Sequence, residues 1–269
     1  MLNESTPSTN REILEFADKD GLSRYAADRF FELAAHRHQQ GLPFTVALAG
    51  GSTPELMYKL LAASNHENQT LIDWKQVYFF FCDERSVPAD APESNFRLAK
   101  ETLFSHVDLP VKNIFRMPAE FPDHDDAARQ YEAILRRYFD SGDTIASKLP
   151  RLDLILLGIG TDGHTASLFP HKPALQESKR LVVATEPGLK PFVPRLTLTY
   201  PVLNNAANVI FLVSGEDKAD VLARVLEGPA DPEGLPSQNI APANGKLIWL
   251  IDSEAASKLR SRTASRISE

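Results

Sequence analysis

From Leu152 to Leu157 the chain reads Leu-Asp-Leu-Ile-Leu-Leu, and it opens at once into Gly158-Ile-Gly-Thr-Asp-Gly-His-Thr-Ala-Ser-Leu-Phe-Pro170. The apolar run is short, lacks alternation and stops at a glycine, the pattern of a strand buried on both faces within a parallel sheet. Ligands of open α/β sheets bind just beyond the carboxyl ends of such strands. Here that end carries an acid, an imidazole and hydroxyls on a glycine-rich turn.

The rest of the chain fits that sheet. Leu22, Ala26, Phe30 and Leu33 mark an amphipathic helix, and Phe44–Ala49 then reads as a strand. Further strands are expected at Val77–Cys82, Asn113–Met117, Leu181–Thr185, Leu196–Thr199, Val209–Val213 and Leu247–Ile251. Helices are expected at Pro54–Leu61, Phe96–Phe104 and Asp125–Phe139, the last with Ala128, Tyr131, Leu135 and Tyr138 on one face. This alternation predicts an α/β fold: a single domain spanning 1–269, with a mainly parallel, Rossmann-like open sheet flanked by helices. The proline-rich stretch 171–208 is expected to add a small subsidiary β layer, and residues 1–10 and those after Arg260 are expected to fray.

Composition narrows the function classes. With 269 residues, 43% of them hydrophobic, the chain can bury a sizeable core. A net charge of −7 with no basic block argues against nucleic acid as a partner, and no apolar run approaches the roughly 20 residues that span a bilayer. The single cysteine, Cys82, excludes an internal disulfide, and no basic, apolar leader opens the chain, so the expected compartment is the cytoplasm. Composition does not fix the oligomeric state; a monomer is slightly favoured.

Four segments carry chemistry. Gly50-Gly51-Ser52-Thr53-Pro54 joins a buried strand to a helix, where glycines admit a ligand, Ser52 or Thr53 caps, and the helix N-terminus favours an anion. It is not a P-loop, since no lysine follows at the required place. Asp83-Glu84-Arg85 leaves a very apolar strand, with Asn95 following. Arg85 suits an oxyanion or acidic substrate and Asp83 suits an orienting or basic role, while Glu84 reads better as structural and Asn95 as a helix cap or ligand contact. Asp162 and His164, with Ser167 nearby, form the pairing a general base needs, because a carboxylate can fix the imidazole tautomer. Arg195 and Lys218 are two separated cations, the second in the first turn of an expected helix, where a bound anion would offset an unfavourable dipole.

Rival readings remain at this level. Gly158-Ile-Gly-Thr-Asp-Gly163 also satisfies the dinucleotide fingerprint, with Glu186 as its distant acid, but two prolines soon after Gly163 limit the required helix. His36 and His38 lie two apart on a helix and face different ways, so no metal is expected. A serine nucleophile is poorly supported because G-x-S-x-G is absent.

Together, Gly50–Pro54, Asp83-Glu-Arg-Ser-Val87 with Ser94-Asn95, and Leu157–Pro170 resemble the 6-phosphogluconolactonases, within the sugar-phosphate isomerase/deaminase-like superfamily. Arg195-Leu-Thr-Leu-Thr199, Ser214-Gly-Glu-Asp-Lys218 and Trp249-Leu-Ile-Asp252 add weaker support. Ala49, Phe96 and Ser237 depart from the residues usual in that family. The resemblance implies cofactor-free hydrolysis of a phosphorylated sugar lactone. His164, Asp162, Arg85 and Asp83 would be catalytic, and Gly50, Gly51, Ser52, Thr53, Asn95, Ser167, Arg195 and Lys218 would bind substrate and its phosphate. A glucosamine-6-phosphate deaminase is the nearest alternative, but the tyrosine after its Asp-Glu pair and the glutamate after its histidine are replaced by Arg85 and by Ser-Leu-Phe-Pro. A non-catalytic sugar-phosphate sensor is a second, for which the expected start of the fold leaves no room for a helix-turn-helix.

Overall fold

The computed structural model describes residues 11–64, 72–140, 149–260 and 265–266; the polar start and most of the chain after residue 260, where fraying was expected, lie outside them. In chain order the elements are β1 (Arg11–Phe16), α1 (Lys19–Gln39), β2 (Phe44–Leu48), α2 (Ser52–Ser64), β3 (Val77–Phe81), β4 (Asp83–Arg85), α3 (Asn95–Thr102) and α4 (His124–Phe139). They continue with β5 (Leu154–Leu157), β6 (Val182–Thr185), β7 (Arg195–Leu198), α5 (Tyr200–Leu203), β8 (Asn208–Val213), α6 (Ala219–Glu227), β9 (Lys246–Asp252) and β10 (Ser265–Arg266).

Seven strands form a parallel sheet in the order β10-β1-β9-β8-β5-β2-β3. The chain moves outward from β2 to β3 and later returns to the other side of β2 as β5, so the order reverses there and the carboxyl ends of β2 and β5 flank a crevice. A second, antiparallel sheet of order β4-β7-β6 is the expected subsidiary layer. The two sheets are spliced at Cys82, whose N–H donates to Leu48 of the parallel sheet at 2.9 Å and whose carbonyl accepts from Leu198 of the small one at 2.8 Å. Asp83, Glu84 and Arg85 therefore form a strand of their own, with Arg85 directly opposite Arg195.

Aromatic packing fills the core. Phe30 meets Phe44, Trp74 and Phe79 with ring centroids 5.2, 5.9 and 6.3 Å apart, and Phe211 stacks on Trp249 at 3.8 Å. Each such fully buried ring stabilises the fold by about 1.5–3 kcal/mol. Helix α4 ties the two sheets: the Tyr131 hydroxyl accepts from Phe81 N–H at 2.9 Å, and Glu132 accepts from Arg180 Nε at 2.7 Å and Leu181 N–H at 3.1 Å.

One expected strand is absent and one unexpected strand is present. Asn113–Met117 is not a strand: a 3-10 turn covers Val111–Asn113, and a single bridge joins Ile114 to Phe79. Phe115 instead stacks on Phe80 at 4.8 Å and is half-buried, and Pro118 has no N–H with which to extend a ladder. Conversely, β1 went unexpected because charged Arg11, Glu12 and Glu15 mask its apolar residues, yet it pairs with β9 in full register from Arg11↔Leu247 to Phe16↔Asp252.

Candidate active site

The loops leaving β2, β4 and β5 converge with Arg195 and Lys218 on one cavity of about 280 Å³. Of the residues expected in the site, Gly50, Gly51, Asp83, Arg85, Asn95, His164, Ser167, Arg195 and Lys218 line it. Ser52 and Thr53 line an adjoining recess of about 240 Å³, which shares Gly50, Gly51, Gly158, Ile159 and Lys218 with the main cavity. Asp162 stands behind the imidazole.

The turn after β5 is built to hold His164. Gly160 N–H donates to the His164 carbonyl and Gly163 N–H to the Gly160 carbonyl, both at 2.9 Å. A side chain at Gly160 is excluded, because its Cβ would fall 2.0 Å from His164 Nδ1. Asp162 Oδ1 lies 2.6 Å from Nδ1 and also accepts the His164 N–H at 3.1 Å. Burial opposes ionising Asp162, but the hydrogen bond from the ring, its charge and the backbone N–H outweigh it and hold the carboxyl below the usual range. An ionised carboxylate only accepts, so Nδ1 donates to Asp162, and in the neutral ring the lone pair is on Nε2. Phe169 packs on the imidazole with centroids 4.5 Å apart, fixing its plane. From behind, Ser237 Oγ donates to the Gly163 carbonyl at 2.8 Å and so supports the turn.

Asp83 is a tie between loops. It is 7% exposed; Oδ1 accepts from Asn95 Nδ2 at 3.1 Å and Oδ2 from Ser167 Oγ at 2.5 Å. Asn95 is not the helix cap: Ser94 caps α3 by accepting from Arg97 N–H at 3.1 Å, which leaves the Asn95 side chain free to face Asp83. Glu84 has the structural role expected of it. Its carboxylate accepts from the N–H groups of Arg85, Asn95 and Phe96, each at 2.8 Å, and from Ser94 Oγ at 3.0 Å. Burial pushes its carboxyl up, and the three N–H groups partly oppose that.

The cations are of two kinds. Arg85 anchors Nη1 on the Glu93 carbonyl at 2.5 Å and stays partly exposed. Arg195 is 3% exposed; Nη2 donates to the Pro191 carbonyl at 2.9 Å, while Nε and Nη1 are buried without a partner. Burial, then the repulsion of Arg85, depress its pKa. A buried guanidinium with two idle nitrogens on a cavity wall is arranged for an anion. Lys218 lies in a 3-10 turn, Glu216–Lys218, ahead of α6, and pairs with Asp217 at 3.1 Å. It faces the start of α2, which begins at Ser52, with the Glu55 N–H donating to Gly51. Ser52 and Thr53 therefore belong to the first helical turn and do not cap it, and the N–H groups of that turn lack intrahelical partners.

Sequence reasoning missed Leu189 and Lys190, which also line the cavity. The available signal was a lysine five residues before Arg195 in a proline-rich loop. The dinucleotide reading fails. Gly163 is followed by a bridged turn, Thr165↔Leu168, and then by a single 3-10 turn, Pro173–Gln176, with no α-helix before β6, and Glu186 follows an antiparallel strand of the small sheet. His36 and His38 stay on α1, bonded to Gln40 and the Asp73 N–H. Among the described residues no group of three or more His, Cys, Asp or Glu side chains is placed to hold a metal ion.

The family described as glucosamine-6-phosphate isomerases/6-phosphogluconolactonase matches residues 17–249. A 6-phosphogluconolactonase of Synechocystis is 42% identical over 80% of this chain and 85% of its own length, and one of Nostoc is 41% identical over 82% and 86%. The solved 6-phosphogluconolactonase of Trypanosoma cruzi superposes with a TM-score of 0.81 at 28% identity, covering 94% of this chain and 98% of that one. The chain belongs to the glucosamine-6-phosphate isomerase/6-phosphogluconolactonase family.

Proposed function

We propose that this protein hydrolyses 6-phosphoglucono-δ-lactone to 6-phosphogluconate, the lactone-opening step of the oxidative pentose phosphate pathway. The observation that carries the reading is one cavity with a histidine of fixed tautomer on one wall and a buried, half-idle guanidinium on another. The relatives named above carry the same activity in their names. The core cluster runs through both sheets, which supports treating the chain as one domain. We place the reaction in the cytoplasm, in keeping with a single free, buried Cys82.

In this mechanism Arg195, Lys218 and the Gly50–Thr53 segment hold the phosphate, fixing the lactone with its carbonyl towards His164. Nε2 takes a proton from a water whose oxygen attacks C1. The negative charge moves to the carbonyl oxygen, where Arg85 stabilises it; such a donor lowers a barrier by about 2.7–4 kcal/mol. The C1–ring oxygen bond then breaks, and the departing oxygen takes the proton back from the imidazolium, leaving a carboxylic acid that ionises. Asp162 stabilises the imidazolium. Asp83, with both oxygens engaged, positions Asn95 and Ser167 instead of touching the reacting atoms.

The test generates the lactone in situ and follows 6-phosphogluconate through a coupled dehydrogenase, with wild type, His164→Ala and a blank. Acceleration by the wild type that falls by about 10²–10⁴ in the variant, the usual worth of a general base, supports the assignment. A folded wild type no faster than the blank overturns it.

A further inference from the structure

The anion end of the cavity depends on a carboxylate that lies outside it. Asp252 ends β9 and is 2% exposed. Its two oxygens accept the Gly215 N–H at 3.1 Å each, and Oδ1 also accepts the Ala255 N–H at 2.8 Å. Among the described residues no cation pairs with it. A buried carboxylate without a counter-charge is costly, so its three hydrogen bonds must supply something that a neutral side chain supplies less well.

What they supply is the placement of two turns. Gly215, at φ +101°, starts the 3-10 turn Glu216–Lys218, and the Lys218 N–H donates back to the Gly215 carbonyl at 3.1 Å. That turn packs against a second one, Ala255–Lys258, which begins at the other amide Asp252 holds. One side chain thus sets the height at which the Lys218 backbone leaves β8. Lysine is long and rotamer-rich, so fixing its backbone is how the fold limits the entropy lost when the ammonium meets an anion.

We infer that Asp252 is a positioning residue for the phosphate end of the site: through Gly215 it aims Lys218 at the recess above the first turn of α2. This rests on the reading of Lys218 as a phosphate ligand given above. It assigns Asp252 no contact with substrate and no part in bond making.

The test measures Asp252→Asn, Asp252→Ser, Lys218→Met and Asp252→Asn in the Lys218→Met background. All are assayed well below their melting temperatures, on 6-phosphoglucono-δ-lactone and on unphosphorylated glucono-δ-lactone. For Asp252→Asn, KM for the phosphorylated lactone is expected to rise about tenfold with kcat within about twofold, the signature of lost uniform binding. The kcat/KM for the unphosphorylated lactone is expected to stay within about twofold, and Asp252→Asn is expected to add nothing once Lys218 is gone. Should the amide variant melt too low to assay, Asp252→Ser carries the same comparison. An unchanged KM, an equal loss on both lactones or full additivity with Lys218→Met overturns the inference. A wild type that shows no preference for the phosphorylated lactone overturns instead the reading on which it rests.

Discussion

Arg195→Met should make the free protein more stable and the enzyme far worse. In the free protein the Arg195 Nε and Nη1 groups are buried without partners, and each buried donor left unmade costs about 1–3 kcal/mol. Methionine fills similar space without charge and forfeits only the bond from Nη2 to the Pro191 carbonyl, about 1 kcal/mol. The balance favours the variant by about 1–5 kcal/mol, a melting temperature higher by roughly 2–10 °C for a chain of this length. With substrate bound, the same two nitrogens make charge-assisted hydrogen bonds of about 1.5–3 kcal/mol each. Losing both costs about 3–6 kcal/mol, or two to four decades in kcat/KM. Thermal melting with and without inorganic phosphate, beside coupled kinetics, reads both effects: phosphate should raise the melting temperature of the wild type and leave that of the variant unmoved. A variant that melts lower than wild type and is still stabilised by phosphate would refute the argument that Arg195 is held ready for an anion.

Three further outcomes are expected. Asp162→Asn removes the carboxylate that stabilises the imidazolium, so kcat should drop about 10–100-fold; an undiminished kcat would contradict the pairing. Gly160→Ala places a methyl group 2.0 Å from His164 Nδ1, so activity should fall at least about a hundredfold with modest loss of stability, readable by kinetics beside melting. Burial opposes ionising Glu132, but the hydrogen bonds from Arg180, Arg136 and the Leu181 N–H together outweigh it and hold the carboxyl below the usual range. Its contribution is therefore present above the ordinary glutamate pKa, about 4.3, and lost as pH falls through the lower folded value. Glu132→Gln should cost about 2 kcal/mol at neutral pH and flatten that part of the acid-unfolding curve, as urea titrations at several pH values would show.

The sequence was most legible where burial alone decides. Leu154–Leu157 and Phe44–Leu48 are apolar at every position because the sheet covers both their faces, and the glycine-rich turns at their ends located the crevice before any topology was known. Legibility failed where pairing partners are remote. Strand β1 is recognisable only beside β9, 236 residues from Ala17 to Ser253 along the chain. The expected strand at Asn113–Met117 has the right residues, but its rings stack on β3 and do not extend the ladder. In the site, residue chemistry singled out His164, Asp162 and Arg195, which the fold brings to one cavity, whereas division of labour did not follow from it. That Asp83 binds Asn95 and Ser167, that Ser94 and not Asn95 caps α3, and that Lys190 reaches the cavity depend on how three loops meet.

A single cavity that joins a water-activating histidine to a cradle for phosphate must favour the phosphorylated lactone. This is tested most directly by measuring kcat/KM for 6-phosphoglucono-δ-lactone and for glucono-δ-lactone with the same preparation, each corrected for spontaneous opening. The expected ratio is at least about 10², the worth of roughly two charge-assisted hydrogen bonds. Equal values for the two lactones would contradict it.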